Sequence, residues 1–177
     1  AFSEYARVPK LQLQPLDIEV LINEVLDLYR DDESDVKFAV NINADVPDVE
    51  ADVGRIRQLL HNLLKNAIES TRGNKDSLIS ISVERIVDAA QDLLELRVND
   101  NGPGIPESMM EKIFEPYTST KTKGGGLGLA VVKRIVEEHS GTVFAENRHE
   151  GGACIVVRLP VSTQESSDNQ GNMSAQA

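Results

Sequence analysis

Two asparagines four residues apart, an aspartate set among glycines and a later glycine cluster are the residues best suited to chemistry. Asn62 and Asn66 lie in a stretch with strong apolar periodicity: Ile56, Leu59, Leu60, Leu63, Leu64, Ala67 and Ile68. At about 100° per residue, Arg55, Asn62, Asn66 and Glu69 share one border of that stripe. Amide oxygens at this spacing can face one hard cation such as Mg2+, which takes oxygen ligands. Two asparagines on a helix border are more often solvated or capping residues, so the spacing alone does not decide. Asp100 follows the stretch 93–98, apolar at Leu93, Leu94, Leu96 and Val98, and opens Asp100-Asn101-Gly102-Pro103-Gly104. A carboxylate at a strand end can accept from a purine amine, with the glycines letting the backbone approach a flat base. An ordinary turn aspartate fits the same five residues. Gly124-Gly125-Gly126-Leu127-Gly128-Leu129 heads a helix whose apolar positions are Val131, Val132, Ile135 and Val136. The unpaired N–H groups and positive dipole of a helix start suit phosphate. No Gly-Lys-Ser/Thr follows, so this is not a P-loop. Residues 118–125 read as a polar, mobile loop that brings Lys121 and Lys123 within reach of phosphates. The combined expectation is a nucleotide site, purine at the first glycine turn and phosphates at the second.

Composition narrows the partners. The chain has 177 residues, 40% of them hydrophobic, enough for one domain with a short appendage. Trp is absent and aromatics are 4%, so the core must be aliphatic. A net charge of -11 argues against a nucleic-acid or anionic membrane surface. A polyphosphate would then need local compensation from lysines, backbone N–H groups and a divalent cation. The single cysteine, Cys154, excludes an internal disulfide, suits a reducing, cytoplasmic setting and reads as a small buried strand residue. No apolar run is long enough to span a bilayer and no signal peptide is visible. The start at Ala1, in mid-pattern, suggests a piece of a longer protein. His61, His139 and His149 show no metal-ligand spacing.

The elements that must position these residues follow from periodicity. Asp17 can cap a helix over 18–30, and Asp52 one over 53–70. Strands are expected over 36–42, 78–87, 93–98, 142–146 and 153–159, with an extended piece at 46–51. A polar turn near 88–92 should join the second and third strands as an antiparallel pair. Pro106 and Glu107 should open a short helix ending near Phe114. Phe114 and Tyr117 are expected to anchor the loop by burial. A helix over 127–139 should stop at Gly141. Residues 1–15 read as a helix end and linker, 16–161 as the domain and 162–177 as a disordered tail. The fold class is α+β: a two-layer sandwich with one mixed, mostly antiparallel sheet packed on helices.

The order of these pieces is more specific than any one of them. The stretch 55–67 with Asn62 and Asn66 resembles the N box of sensor histidine kinases. Asp100-x-Gly102-x-Gly104 resembles their G1 box, and Phe114-Glu115-Pro116-Tyr117 with the following Thr/Ser/Lys segment resembles the F box and lid. Gly124-x-Gly126-Leu127-Gly128-Leu129-Ala130 resembles the G2 box. The resemblance, over residues 15–161, is to the catalytic ATP-binding domain of two-component kinases in the GHKL superfamily. Phe2-Ser3-Glu4-Tyr5-Ala6-Arg7 resembles the end of a dimerisation helix in nitrogen-regulation (NtrY-like) kinases. The resemblance implies the Bergerat-type fold, ATP and Mg2+. It implies Asn62 and Asn66 at metal and phosphates, Asp100 on the adenine amine, and Gly102 and Gly104 shaping the adenine pocket. Lys121 and the lid would cover the phosphates, which Gly124, Gly126, Leu127 and Gly128 would wrap, with Lys65 and Arg55 as further phosphate partners. Tyr117 stands where the family often has Phe.

The phosphoacceptor histidine of that family has a following acid on an upstream helix, a setting none of the three histidines here shares. The resemblance therefore implies a domain that transfers the γ-phosphoryl of ATP to a histidine elsewhere and cannot autophosphorylate alone. Its implied partners are the kinase's own phosphoacceptor and dimerisation helices, in a membrane-anchored homodimer, and a response-regulator aspartate. The alternatives are a GHKL ATPase and a non-catalytic nucleotide-binding regulatory domain. The ATPases carry Glu at the position of Asn62, and an amide cannot serve as that base.

Overall fold

Period-two strands and period-3.6 helices pool their apolar faces into one core. The computed structural model describes residues 10–30, 35–118 and 126–161. In chain order the elements are β1 (Gln14–Leu16), α1 (Ile18–Arg30), β2 (Lys37–Ile42), β3 (Val49–Ala51), α2 (Val53–Thr71), β4 (Leu78–Asp88), β5 (Gln91–Asp100), a 3-10 turn (Glu107–Met109), α3 (Gly128–Glu138), β6 (Thr142–Asn147) and β7 (Ala153–Pro160). A five-stranded sheet has the order β2-β4-β5-β7-β6. β2 runs parallel to β4, with α2 in the crossover between them, and the other neighbours are antiparallel. The small β1–β3 pair is antiparallel, and it draws Gln14 and Pro15 into the domain across the boundary expected at residue 15.

The inner sheet face is Ile79, Ile81 and Val83 of β4, Leu94, Leu96 and Val98 of β5, and Ile155, Val157 and Leu159 of β7, all buried. Facing it are Leu21, Ile22, Val25 and Leu26 of α1, Ile56, Leu59, Leu60, Leu63 and Leu64 of α2, and Val132, Ile135 and Val136 of α3. This is the two-layer architecture expected from periodicity.

Capping decides where α1 and α2 start. The Asp17 carboxylate accepts from Val20 N–H at 3.1 Å. Asp52 caps α2 by accepting from Arg55 N–H at 3.1 Å through Oδ1, while Oδ2 accepts from Gln12 N–H at 2.9 Å. Those backbone donors, Gln12 foremost, hold the Asp52 carboxyl below the usual range. The Asp52 N–H donates to His139 Nε2 at 3.0 Å, and His139 Nδ1 meets the Ile135 carbonyl at 2.7 Å. His139 is thus a structural pin between the end of α3 and the start of α2.

The outer sheet face carries a charged ladder over buried strands. Glu95, only 2% exposed, accepts from Arg97 Nε at 2.6 Å and from Arg158 Nε at 2.7 Å. Burial pushes its carboxyl up, but the two guanidinium groups outweigh that and leave it low. Arg97 also reaches Glu146 at 2.7 Å, and Arg158 reaches Asp88 at 2.8 Å and lies 5.2 Å from the Phe144 ring centroid. Arg97 pairs in register with the buried Val156, and its Nη1 lies 4.0 Å from the sulfur of the buried Cys154. Burial of Cys154 pushes its thiol up to about 11, consistent with the inert strand residue expected.

Three local expectations are corrected. The β4–β5 ladder runs to the Asp88–Gln91 pair, leaving only Ala89 and Ala90 in the turn, both at positive φ (47° and 64°). Arg85 forking onto Asp92 at 2.8 and 2.6 Å keeps the strands paired through the segment expected as turn. The helix expected from Pro106 to near Phe114 is only the 3-10 turn followed by further i→i+3 turns. A segment between two prolines that turns side chains both to the core and to a cavity favours such short pieces. Tyr117 is 78% exposed at φ 63°, so Phe114 packs on the core but Tyr117 does not. The expectations for residues 1–9, 119–125 and 162–177 lie outside the described residues.

Candidate functional site

Strand alternation puts Asp100 on the inward face, in line with Leu94, Leu96 and Val98, where it is 5% exposed. Its Oδ1 accepts from Gly102 N–H at 2.8 Å and from Ala153 N–H at 3.4 Å. A Cβ on Gly102 would lie 2.7 Å from the Ser70 carbonyl oxygen and 2.9 Å from Asp100 Oδ1. Only glycine passes between the end of α2 and this carboxylate, which is why Gly102 belongs here although it braces the site rather than lining it.

α2 supplies one long side of the cavity with Asn62, Lys65, Asn66, Glu69 and Ser70. Their 3.6-residue spacing places them beside the buried stripe, as the sequence pattern requires. Opposite stands the start of α3. No side chain caps that helix at Leu127. A Cβ on Gly128 would still be 3.8 Å from Asn62 Oδ1, so no side chain separates the Asn62 amide from the first turn of α3. The 3.0 Å bond from Tyr117 N–H to the Gly126 carbonyl joins the chain on either side of residues 118–125.

These elements enclose a cavity of about 430 Å3, within the roughly 300–1,000 Å3 common for small-molecule sites. The cavity brings together Asn62, Lys65, Asn66, Asp100, Gly104, Gly126, Leu127 and Gly128. Lys121 and Gly124 lie outside the described residues. Arg55 does not line the cavity. Its Nε lies 3.8 Å from Glu138 Oε2, so it pairs with α3, a correction to its reading as a phosphate partner. His61 hydrogen-bonds Tyr29 at 2.9 Å. The sequence reading missed the apolar wall of Ile105, Met109, Ile113, Leu129 and Ile155. Aliphatic residues lining a pocket have the same pattern as aliphatic residues filling a core, so no sequence signal separates them.

A buried acceptor, an apolar wall, amides and an uncapped helix start can hold a base at one place and phosphates at another. The family model described as histidine kinase-, DNA gyrase B-, and HSP90-like ATPase matches residues 51–163. The solved catalytic domain of histidine kinase ThkA is 34% identical at a TM-score of 0.75, over 84% of this chain and 95% of that one. The chain belongs to the ATP-binding catalytic domains of sensor histidine kinases. An NtrY-like sensor histidine kinase from Rickettsia bellii is 35% identical to this domain over 158 residues, 89% of this chain and 25% of that protein. ZraS, a sensor histidine kinase of Escherichia coli K12, is 34% identical over 161 residues, 90% of this chain and 33% of that protein. The chain thus spans about a quarter to a third of these curated relatives. Full-length ShkA, solved in complex with AMPPNP, is 30% identical at a TM-score of 0.73, over 88% of this chain and 32% of that one. ThkA has also been solved with the response regulator TrrA, at 32% identity and a TM-score of 0.72, over 86% of this chain and 42% of that one. The kinase-domain family fits the amide at position 62, because the ATPase alternative needs a carboxylate there to activate water. Among the described residues no helix is long and apolar enough to cross a membrane.

Proposed function

We propose that this domain binds Mg-ATP across the cavity and delivers the γ-phosphoryl group to a histidine on a separate helical element. A response-regulator aspartate then receives the phosphoryl group. One observation carries the reading: Asp100, Asn62, Asn66 and the opening of α3 line one cavity. Asp100 accepts from the adenine amine, and the aliphatic wall packs on the ring. The first-turn N–H groups of α3 and Lys65 take phosphate oxygens, so backbone and one side chain offset the charge that an acidic protein would otherwise repel.

The donors fit Mg2+: neutral amide oxygens of Asn62 and Asn66, with no side chain between Asn62 and the phosphate-binding helix start. When bound, the ion supplies charge neutralisation on the phosphates. The chain's own part is positioning, since phosphoryl transfer needs little covalent help from the protein. Lys121 covers the phosphates in this reading. The solved complexes of ShkA with AMPPNP and of ThkA with a response regulator support nucleotide and regulator as partners.

The test has two steps. Calorimetric titration with Mg-ATP should show one site per chain. Mixing the loaded domain with a separate histidine-bearing helical partner and radiolabelled ATP should then label the partner. Rapid ATP hydrolysis by the domain with no label on the partner would overturn the kinase reading.

A further inference from the structure

The purine end of the cavity is braced by a hairpin outside the motifs that suggested the site. The β6–β7 connection touches the Asp100 turn at separate points. Ala153 N–H donates to Asp100 Oδ1 at 3.4 Å, and Arg148 Nη1 donates to the Asp100 carbonyl at 3.2 Å. Asn147, the last residue of β6, holds both backbone groups of Ile105. Its Oδ1 accepts from Ile105 N–H at 2.7 Å and its Nδ2 donates to the Ile105 carbonyl at 2.8 Å. An amide that accepts from an N–H and donates to the carbonyl of the same residue can be oriented only one way. The side chain thus acts like one more rung of a β-ladder, 42 residues away in sequence.

Gly104 gives a second, independent sign. It has φ 80°, and a Cβ there would lie 2.8 Å from Asn147 Oδ1. The glycine is needed as much for the approach of Asn147 as for the turn. Gly104 and Ile105 both line the cavity beside Asp100.

We propose that Asn147 is a positioning residue for nucleotide recognition, fixing Gly104 and Ile105 against the base held by Asp100. This rests on the reading of Asp100 as the partner of the adenine amine. Asn147 does not touch the ligand; it sets the height of the pocket edge on which the ring rests. The exposed surroundings of Asn147 make its effect on overall stability small, while its effect on the pocket is direct.

The experiment compares ADP with the diphosphate of purine riboside, which lacks the exocyclic amine, on the wild-type chain and Asn147→Ala. Wild type should prefer ADP. Asn147→Ala should weaken ADP about fivefold, because binding must then reorder the freed Gly104–Ile105 edge, and should shrink the preference while the melting temperature stays close to wild type. An unchanged preference in Asn147→Ala overturns the role of Asn147 and leaves Asp100 standing. A wild type that does not distinguish the two nucleotides overturns the Asp100 reading, and this proposal with it. Hydrogen exchange at the Ile105 amide of wild type decides the matter even if the variant does not fold. Protection is expected, and exchange at the rate of a free amide overturns the clasp.

Discussion

The proposed function gives Asp100 and Asn66 different work, and their variants should separate it. Asp100→Asn keeps an oxygen for Gly102 N–H and Ala153 N–H, but replaces a charged acceptor with an amide that can face the adenine amine with its own N–H. ADP affinity should fall at least about tenfold by calorimetry, the range for a charged hydrogen bond; unchanged affinity would remove Asp100 from the base. Asn66→Ala removes an amide oxygen that the proposed function assigns to Mg2+. It should weaken binding of Mg-ATP more than of ATP in EDTA, and equal losses would take Asn66 out of the metal's reach. Asn62 and Asn66 were legible because helical periodicity projects them to one side. Arg55 was misread because the same projection cannot see Glu138 on α3, which captures it.

Among the elements, α2 is held at its start by a residue with two duties. Asp52 caps the helix and also receives Gln12 N–H. Asp52→Ala should cost about 1–2 kcal/mol at neutral pH in urea unfolding, as for other N-caps. The folded carboxyl is held low, so its contribution is fully present above the unfolded pKa of about 4. It is lost as pH falls through the folded value. The gap between wild type and Asp52→Ala should therefore narrow below about pH 4, and a constant gap would deny the capping charge its role. The β4–β5 turn offers a gain instead. Ala89 and Ala90 sit in the left-handed region that the two-residue hairpin demands. Ala90→Gly should stabilise the domain by roughly 0.5–1 kcal/mol in the same assay; a loss would mean that the turn geometry is different. The sequence pattern pointed to the pairing of these strands but not to so tight a turn, because the ion pairs that prolong the ladder lie across strands.

For the whole molecule, the cavity draws on α2, β5, α3 and β7 at once, so nucleotide should stabilise the fold and not merely a loop. At a nucleotide concentration of 100 Kd the gain should be about 2.7 kcal/mol, read as a concentration-dependent rise in melting temperature. No rise at saturating nucleotide would mean that the ligand does not bridge the layers. In the proposed reading the acidic chain meets polyphosphate through local geometry, with Lys65 on the α2 wall and the start of α3 opposite it. On the far face of the sheet, arginines of β5 and β7 hold Glu95 and shield buried strands from solvent. That arrangement lets a two-layer fold bury both sides of its central strands.

Local pattern alone determined the types of the longer elements, the two-layer class and the ordered motifs, because periodicity and glycine placement act through neighbouring residues along the chain. The tertiary structure decided which apolar residues line a cavity rather than fill a core. It turned His139 into a pin and Tyr117 outward, and it set Asn147 against Ile105. Each of these depends on what a distant segment brings within hydrogen-bonding or packing distance, and spacing along one element carries no record of that.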